Sequence, residues 1–202
     1  MAQAAALGLA VSTGQAVVVV LCGTARAPAI AARFPLALSD PWVRESLHPY
    51  HAELGGTGRE GELARRLGCD AAAASTARAV RALLGDMRTH GFEPNGATLV
   101  VRSLADPASV RGAHARAHAA ELALYRHALE QAFRDGGVPV RSIAEKSVRA
   151  QAAARLERSP RQLDAALWGF VEQVGTPWRA PEKRAALGAW LALRARRERN
   201  AA

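Results

Sequence analysis

The apolar residues near the N-terminus fall into three short runs separated by turn residues. The runs cover residues 7–11, 16–22 and 30–38, and the segments 12–15 and 23–28 between them are rich in Gly, Ser and Pro. Such segments are typical of tight turns between strands. The second run contains four consecutive Val residues and lacks the alternation of a half-exposed strand. The pattern predicts three successive strands, the second of them covered on both faces.

Further along the chain, apolar positions recur at steps of three and four residues, the period of an α-helix. This period predicts helices over residues 63–88, about 106–134, 145–156, 161–174 and 181–197, and shorter apolar runs predict strands over 98–104 and 138–143. The Gly-rich segment near residues 52–62 is predicted to form a flexible loop or lid. A strand–helix–strand unit requires a right-handed crossover and a parallel pair. We therefore expect a single α/β domain over residues 1–202, with a mixed five-stranded sheet, three antiparallel strands then two parallel ones, flanked by helices.

Net charge is concentrated toward the C-terminus. The 202 residues include 27 Lys and Arg and 18 Asp and Glu, for a net charge of +9, and residues 139–202 alone carry a net +7. The basic helical part, residues 144–202, favours an anionic partner, with nucleic acid first and an acidic protein or membrane surface next. A solvated helical face explains the same charge equally well. The candidate nucleic-acid-binding residues are Arg141, Lys146, Arg149, Arg179, Lys183, Arg184, Arg194, Arg196 and Arg197.

Aromatic residues accompany this basic region. Trp178 and Trp190 lie on or near the last predicted helix, where indole rings beside cations can stack on bases. Amphipathic helices usually bury such residues, so we favour the alternative that both anchor the helix to the core.

Export and membrane insertion are not expected. Arg26 is the first charged side chain and follows the apolar run, so the N-terminus does not resemble a signal peptide. The run at residues 16–21 is too short to span a bilayer. Cys22 and Cys69 are isolated, which is typical of thiols in a reducing cytoplasm. The excess of Ala and Arg suggests a GC-rich, bacterial coding sequence.

Four segments carry a resemblance to a known family. The sequence Leu-Gly-Leu-Ala at residues 7–10 leads through Ser-Thr-Gly at 12–14 into the second strand. Later, Leu-Val-Val-Arg at 99–102 precedes an Ala-rich helix, and Gly-Val-Pro-Val at 137–140 precedes an Arg- and Lys-rich helix. In this order of elements the chain resembles the ribonuclease H-like superfamily, and within it the Holliday-junction resolvases. The resemblance implies a ribonuclease H-like mixed sheet.

The catalytic positions of that family are changed in this chain. The resemblance implies two Mg²⁺ ions held by carboxylates from the first strand, the end of the fourth strand and the last helix. These positions carry Ala10, Arg102 (Ser103 if the register slips by one) and Glu182. A lone carboxylate does not assemble a two-metal site. We therefore expect no catalytic residue and a protein that binds nucleic acid or an acidic protein; its oligomeric state, a homodimer included, stays open.

Two groups of histidines are candidate metal ligands. His114, His118 and Glu121 are spaced so that the two imidazoles share one face of the predicted helix and the carboxylate lies beside it. His48 and His51, in the predicted loop, can supply further ligands. Imidazoles with a carboxylate suit Zn²⁺ or non-haem iron. The alternative to a binding protein is therefore a metal-dependent hydrolase or oxygenase; apart from a divalent metal, no cofactor is expected.

The same helix positions have a simpler interpretation. His114 and His118 continue a stripe that includes Leu122 and Tyr125. A stripe of this kind faces the core, so hydrogen-bonded histidines between sheet and helix account for the spacing, and we favour this interpretation. Whether the two histidine groups meet in space is left to the tertiary structure.

Overall fold

A mixed sheet organises the molecule. The computed structural model describes residues 2–200, with the side chains of residues 2–194. Its strands are β1 (Gln3–Ser12), β2 (Gln15–Gly23), β3 (Pro28–Ala37), β4 (Phe92–Val101) and β5 (Val140–Ala144), in the order β3-β2-β1-β4-β5. β1 pairs with β2, and β2 with β3, in antiparallel register. β1–β4 and β4–β5 are parallel pairs. The predicted sheet of three antiparallel and two parallel strands is confirmed.

The helices fill the connections between these strands. They are α1 (Pro49–Gly55), α2 (Gly58–Thr89), α3 (Ala113–Asp135), α4 (Glu145–Leu156), α5 (Pro160–Val174) and α6 (Ala180–Asn200), with 3₁₀ turns at Arg44–Ser46 and Pro107–Ser109. The helix predicted from about residue 106 begins only at Ala113, because Gly112 adopts a φ of 83° and the Asp106 side chain accepts a hydrogen bond in the preceding 3₁₀ turn. None of the described helices is long and apolar enough to cross a membrane.

The Gly-rich segment is mostly helical, so the predicted loop over residues 52–62 is wrong in extent. α1 continues to Gly55 and α2 begins at Gly58, which leaves Gly56 and Thr57 between them. A Cβ on Gly61 would lie 2.6 Å from the Glu53 carbonyl oxygen. Here glycine permits two helices to approach closely.

Two apolar layers cover the two faces of the sheet. The first joins β1, β2 and β4 to α2 and α3 through buried residues that include Leu7, Leu9, Val18, Val20, Leu99, Val80, Leu84, Leu129 and Phe133. The second joins the opposite face to α4, α5 and α6 through residues that include Ala6, Ala10, Val19, Leu21, Val100, Leu163, Phe170, Ala186 and Trp190. Alternate β2 residues thus enter opposite layers, which explains the Val run and confirms that this strand is covered on both faces.

α6 lies unusually close to the sheet. A Cβ built on Gly8 would lie 1.8 Å from the carbonyl oxygen of Ala185, and one built on Gly188 would lie 3.1 Å from Val100. Small residues on both elements therefore allow the helix backbone to approach β1 and β4. This contact places the N-terminal turns of α6 over the sheet.

Candidate functional site

Both predicted histidine groups meet at one place, between α1 and the first half of α3. His48 precedes α1 and His51 lies in its first turn, while His114 and His118 lie one turn apart on α3. The His51 ring centroid is 4.3 Å from that of His118 and 4.6 Å from that of His114. His114 and His118 are exposed and His51 is half-buried. The cluster is therefore open to solvent.

Glu121 lies beneath the imidazoles and is completely buried. Its Oε2 accepts a hydrogen bond from His48 Nδ1 at 3.0 Å, and its Oε1 accepts one from His51 Nδ1 at 2.7 Å and another from the His51 backbone amide at 3.3 Å. His118 Nδ1 lies 3.7 Å from Oε2. Since an unpaired carboxylate is costly to bury, these donors account for its presence in the interior.

The segment that carries His48 is held to the rest of the fold by short polar contacts. Tyr125, one turn after Glu121 on α3, is buried and donates its hydroxyl proton to the Ser46 carbonyl oxygen. The Ser46 hydroxyl in turn bonds the backbone of Asp40. Burial raises the pKa of Tyr125 far above its ordinary value, so the phenol stays a donor at neutral pH. These bonds position the histidines of α1 against α3.

Partial desolvation and neighbouring imidazoles lower the pKa of the exposed His118. Desolvation is the largest cause, and the interaction with His51 adds to it, while Glu121 acts in the opposite direction. A lowered pKa keeps this imidazole neutral over a wider pH range, and the neutral ring is the form that ligates metals.

The expectation that His114 and His118 lie between sheet and helix is wrong. On the stripe that they begin, only the later residues Tyr125, Leu129 and Phe133 reach the core. The first half of α3 packs beside α1 instead of on the sheet, so its histidines face solvent and the α1 segment. The local sequence does not show which neighbour the first half meets, since its small residues suit a sheet and a helix alike.

A cavity of about 610 Å³ lies between α1 and α3. Its walls include Tyr50 and Leu54 from α1 and Ala117, Ala120 and Leu124 from α3. The five residues of the histidine–glutamate cluster do not belong to this lining, so the cavity is a neighbour of the cluster and not its interior.

Several of the candidate nucleic-acid-binding cations are already paired. Arg149 contacts Asp164 at 2.7 Å, Arg194 contacts Glu157 at 3.2 Å, and Arg184 is bonded to Glu145 at the start of α4. Arg141 donates from Nε to the Thr98 hydroxyl on β4. The side chains of Arg196 and Arg197 lie outside the described residues.

The remaining candidates, Lys146, Arg179 and Lys183, are exposed. Among the described side chains, none of the three has a carboxylate within ion-pair distance. The Arg179 backbone amide, not its guanidinium, donates to the Glu182 carboxylate. These cations are the accessible part of the predicted set.

Trp190 and Trp178 pack into the apolar core, as the favoured alternative predicted. Trp190 is fully buried and donates from Nε1 to the Ala25 carbonyl oxygen, and Trp178 packs against Phe170.

The exposed indole of this region is Trp168, which the sequence analysis did not single out. It is 65% exposed, and the Lys183 ammonium lies 5.7 Å from its ring centroid. The helical period could have predicted this exposure, because Trp168 directly follows Leu167 of the apolar stripe of α5 and consecutive helical residues are about 100° apart.

The three positions that the sequence resemblance implies as metal ligands do not present a ligand set. Ala10 pairs with Val100 in the parallel β1–β4 ladder, belongs to the apolar layer under α6 and is 8% exposed. Arg102 follows the end of β4 as an exposed cation. The Glu182 carboxylate accepts from the Arg179 amide at 2.9 Å and lies 4.0 Å from Arg33 on β3. These residues do not fit a pair of Mg²⁺ ions.

Two solved structures of RuvC, one of them bound to a Holliday junction, align with this chain. Thermus thermophilus RuvC aligns with a TM-score of 0.56 at 12% identity, over 96% of both chains. T. thermophilus RuvC in complex with a Holliday junction substrate aligns with a TM-score of 0.56 at 14% identity, over 96% of this chain and 95% of that one. No protein-family model matches the sequence, and no curated protein is significantly similar to it. At these identities the likeness shows the fold alone: a mixed five-stranded α/β sheet flanked by helices, as in RuvC.

Proposed function

We propose that this protein binds nucleic acid through its basic C-terminal surface and does not cleave it by a two-metal mechanism. The proposal is supported by the RuvC-like fold, together with Ala10 and Arg102 at the two positions that the sequence resemblance implies as metal ligands. The solved relative in complex with a Holliday junction makes branched DNA the first ligand to test.

The binding surface consists of the accessible cations and one exposed aromatic ring. Lys183 and Trp168 are adjacent, so a phosphate contact and a base-stacking contact can be made together. Arg179 directly precedes α6, which carries Lys183, and Lys146 lies on α4. Arg149, Arg184 and Arg194 already have carboxylate partners and contribute less to the attraction of phosphate.

Loss of hydrolysis follows from the chemistry of the matched positions. In-line phosphoryl displacement by two metals requires ligands that hold both ions and stabilise the attacking and leaving oxygens. A methyl group offers no ligand, and the guanidinium of Arg102 repels a divalent cation. The Glu182 carboxylate is engaged with the Arg179 amide and Arg33. On this proposal the chain has no catalytic step that depends on two Mg²⁺ ions.

Fluorescence anisotropy with a labelled four-way junction tests the binding part of the proposal. Affinity is measured over a series of salt concentrations, with a duplex of equal length as reference. Removal of one phosphate-contacting cation reduces the slope of log K against log salt by about 1. We expect this reduction for Lys183→Ala and no reduction for Arg81→Ala, an exposed cation on α2. Trp168→Ala weakens binding to single-stranded DNA by about 1–3 kcal/mol.

Two results contradict the proposal separately. Binding that is absent, or that is insensitive to salt, rules out the nucleic-acid part. Mg²⁺- or Mn²⁺-dependent cleavage of the labelled junction, lost on mutation of Glu182, rules out the non-catalytic part. The anisotropy titrations are run with EDTA, so that binding is measured without any metal.

A further inference from the structure

We propose that His51, His114 and His118 form a surface site for a transition-metal ion, for which Zn²⁺ is the best match, and that the buried Glu121 orients His51 without ligating the ion. The site lies on α1 and α3, away from the basic residues of α4–α6. It therefore does not depend on the proposed binding of nucleic acid.

The three imidazoles have the spacing of ligands to one ion. One ring nitrogen from each lies within 4.8 Å of those of the other two. His51 Nε2 and His114 Nδ1 are 3.1 Å apart. Two nitrogens bound to tetrahedral Zn²⁺ at 2.0–2.1 Å are separated by roughly 3.3 Å, so only small side-chain rotations are needed.

The hydrogen bonds of Glu121 prepare His51 for this role. Because a carboxylate only accepts, the 2.7 Å contact requires His51 Nδ1 to carry its proton. In the neutral ring Nε2 then keeps its lone pair, and it lies 3.1 Å from His114 Nδ1. A carboxylate that holds the outer nitrogen of a ligating imidazole is the usual support of a histidine metal site.

A competing ligand set, His48, His51 and Glu121, also has its atoms within 4.8 Å of one another. Glu121 is fully buried and already accepts three hydrogen bonds, so an ion would have to displace these donors in the interior. The three-histidine set is open to solvent and requires no such displacement. We therefore assign the ion to His51, His114 and His118.

The donor chemistry selects the class of metal. Neutral imidazoles suit Zn²⁺ and neighbouring first-row ions, whereas Mg²⁺ and Ca²⁺ prefer oxygen ligands. Three protein ligands leave a fourth tetrahedral position for water or a small anion.

Titration of the metal-free protein with Zn²⁺ and with Co²⁺ tests the site. Calorimetry gives the stoichiometry, and the visible absorption of Co²⁺ reports tetrahedral coordination. We expect one ion per chain and the intense spectrum of a four-coordinate site. His114→Ala/His118→Ala, both on the exposed surface, is expected to lose this binding, whereas His127→Ala, an exposed histidine further along α3, retains it.

Two further variants separate the ligand sets. His48→Ala is expected to keep the stoichiometry, because His48 bonds Glu121 and only packs against the His51 and His118 rings without being a ligand in the proposed arrangement. Glu121→Gln is expected to weaken binding about 10–100-fold, the usual effect of losing an orienting partner, with folding verified by circular dichroism. Loss of binding in His48→Ala would assign the ion to the competing set. Equal binding by the wild type and the His114/His118 double variant, or none by the wild type, would overturn the site.

Discussion

Replacing Gly8 by Ala probes the contact that places α6 over the sheet. The new Cβ would lie 1.8 Å from the carbonyl oxygen of Ala185 and 2.4 Å from the amide nitrogen of Ala189. Both partners are backbone atoms of α6, so no side-chain rotation relieves the overlap. The helix must move away from β1, or the strand must bend.

The size of the effect follows from these distances. Ordinary contact begins near 3.4 Å, so the helix must retreat by roughly 1.5 Å from the substituted position. A gap of 0.5–1 Å already removes about a quarter to a half of the dispersion energy between packed atoms. Ala186, Ala189 and Trp190 would lose such contacts together. We expect a loss of about 3 kcal/mol or more, at or above the upper end of ordinary overpacking, out of a typical stability of about 5–15 kcal/mol.

Urea unfolding followed by circular dichroism measures this loss. Gly85→Ala is the matched control, because Gly85 is exposed within α2 and an added Cβ there has nothing within 4 Å. Alanine at that position is expected to raise the free energy of unfolding by about 0.5–1 kcal/mol. A Gly8→Ala protein as stable as the wild type would refute the close packing of α6 on β1.

Three other substitutions or reactions test parts of the fold. Tyr125→Phe removes the hydrogen bond to the Ser46 carbonyl and should cost about 0.5–1.5 kcal/mol in urea unfolding at neutral pH. Folding raises the pKa of Tyr125, so its contribution to the free energy of unfolding is complete below the ordinary pKa of 10.0 and is lost as pH rises above it. The decline in stability with pH should therefore be smaller in Tyr125→Phe than in the wild type. Ser159→Ala breaks the capping box with Gln162 and should cost about 1 kcal/mol, measured by thermal unfolding. Burial raises the Cys69 pKa, so Ellman's reagent should react slowly with it until urea is added.

Each of these expectations has a result that contradicts it. An alkaline decline in stability that is identical in Tyr125→Phe and wild type would show that another group causes it. A Ser159→Ala protein with unchanged melting temperature would mean that the α5 cap contributes nothing. Immediate reaction of Cys69 in the native protein, with Cys22→Ser used to isolate its signal, would contradict its burial.

Local patterns predicted most of the secondary structure. The helix over residues 145–156 matches α4, and the mixed pairing of the sheet follows from the order of elements. The predicted ends of helices and strands were wrong where proline or glycine residues serve a contact between elements and not a chain break. The strand predicted over residues 98–104 begins already at Phe92 in β4, and Pro94 lies within it, beside the register shift between Ala5 and Leu7 of β1. The glycines near residue 58 permit close helix contact and do not form a long loop.

Less of the candidate sites than of the fold could be predicted from the sequence. The residue types of the histidine cluster were named correctly, but His114 and His118 were assigned to the sheet–helix interface, because an apolar stripe does not reveal where its helix extends past the sheet. The prediction of a basic surface did not identify which arginines would find carboxylates. Arg149 meets Asp164 across the α4–α5 contact, a pairing that depends on helix packing and not on spacing along one helix.

By itself, the sequence determined which segments become strands and helices and where positive charge accumulates. These properties are local, since periodicity and composition are read from neighbouring residues. Only the tertiary structure decided that His51 meets His114, 63 residues later, and that Glu121 lies buried beneath both groups. Contacts between residues so far apart are set by how whole elements pack, and no short-range pattern encodes them.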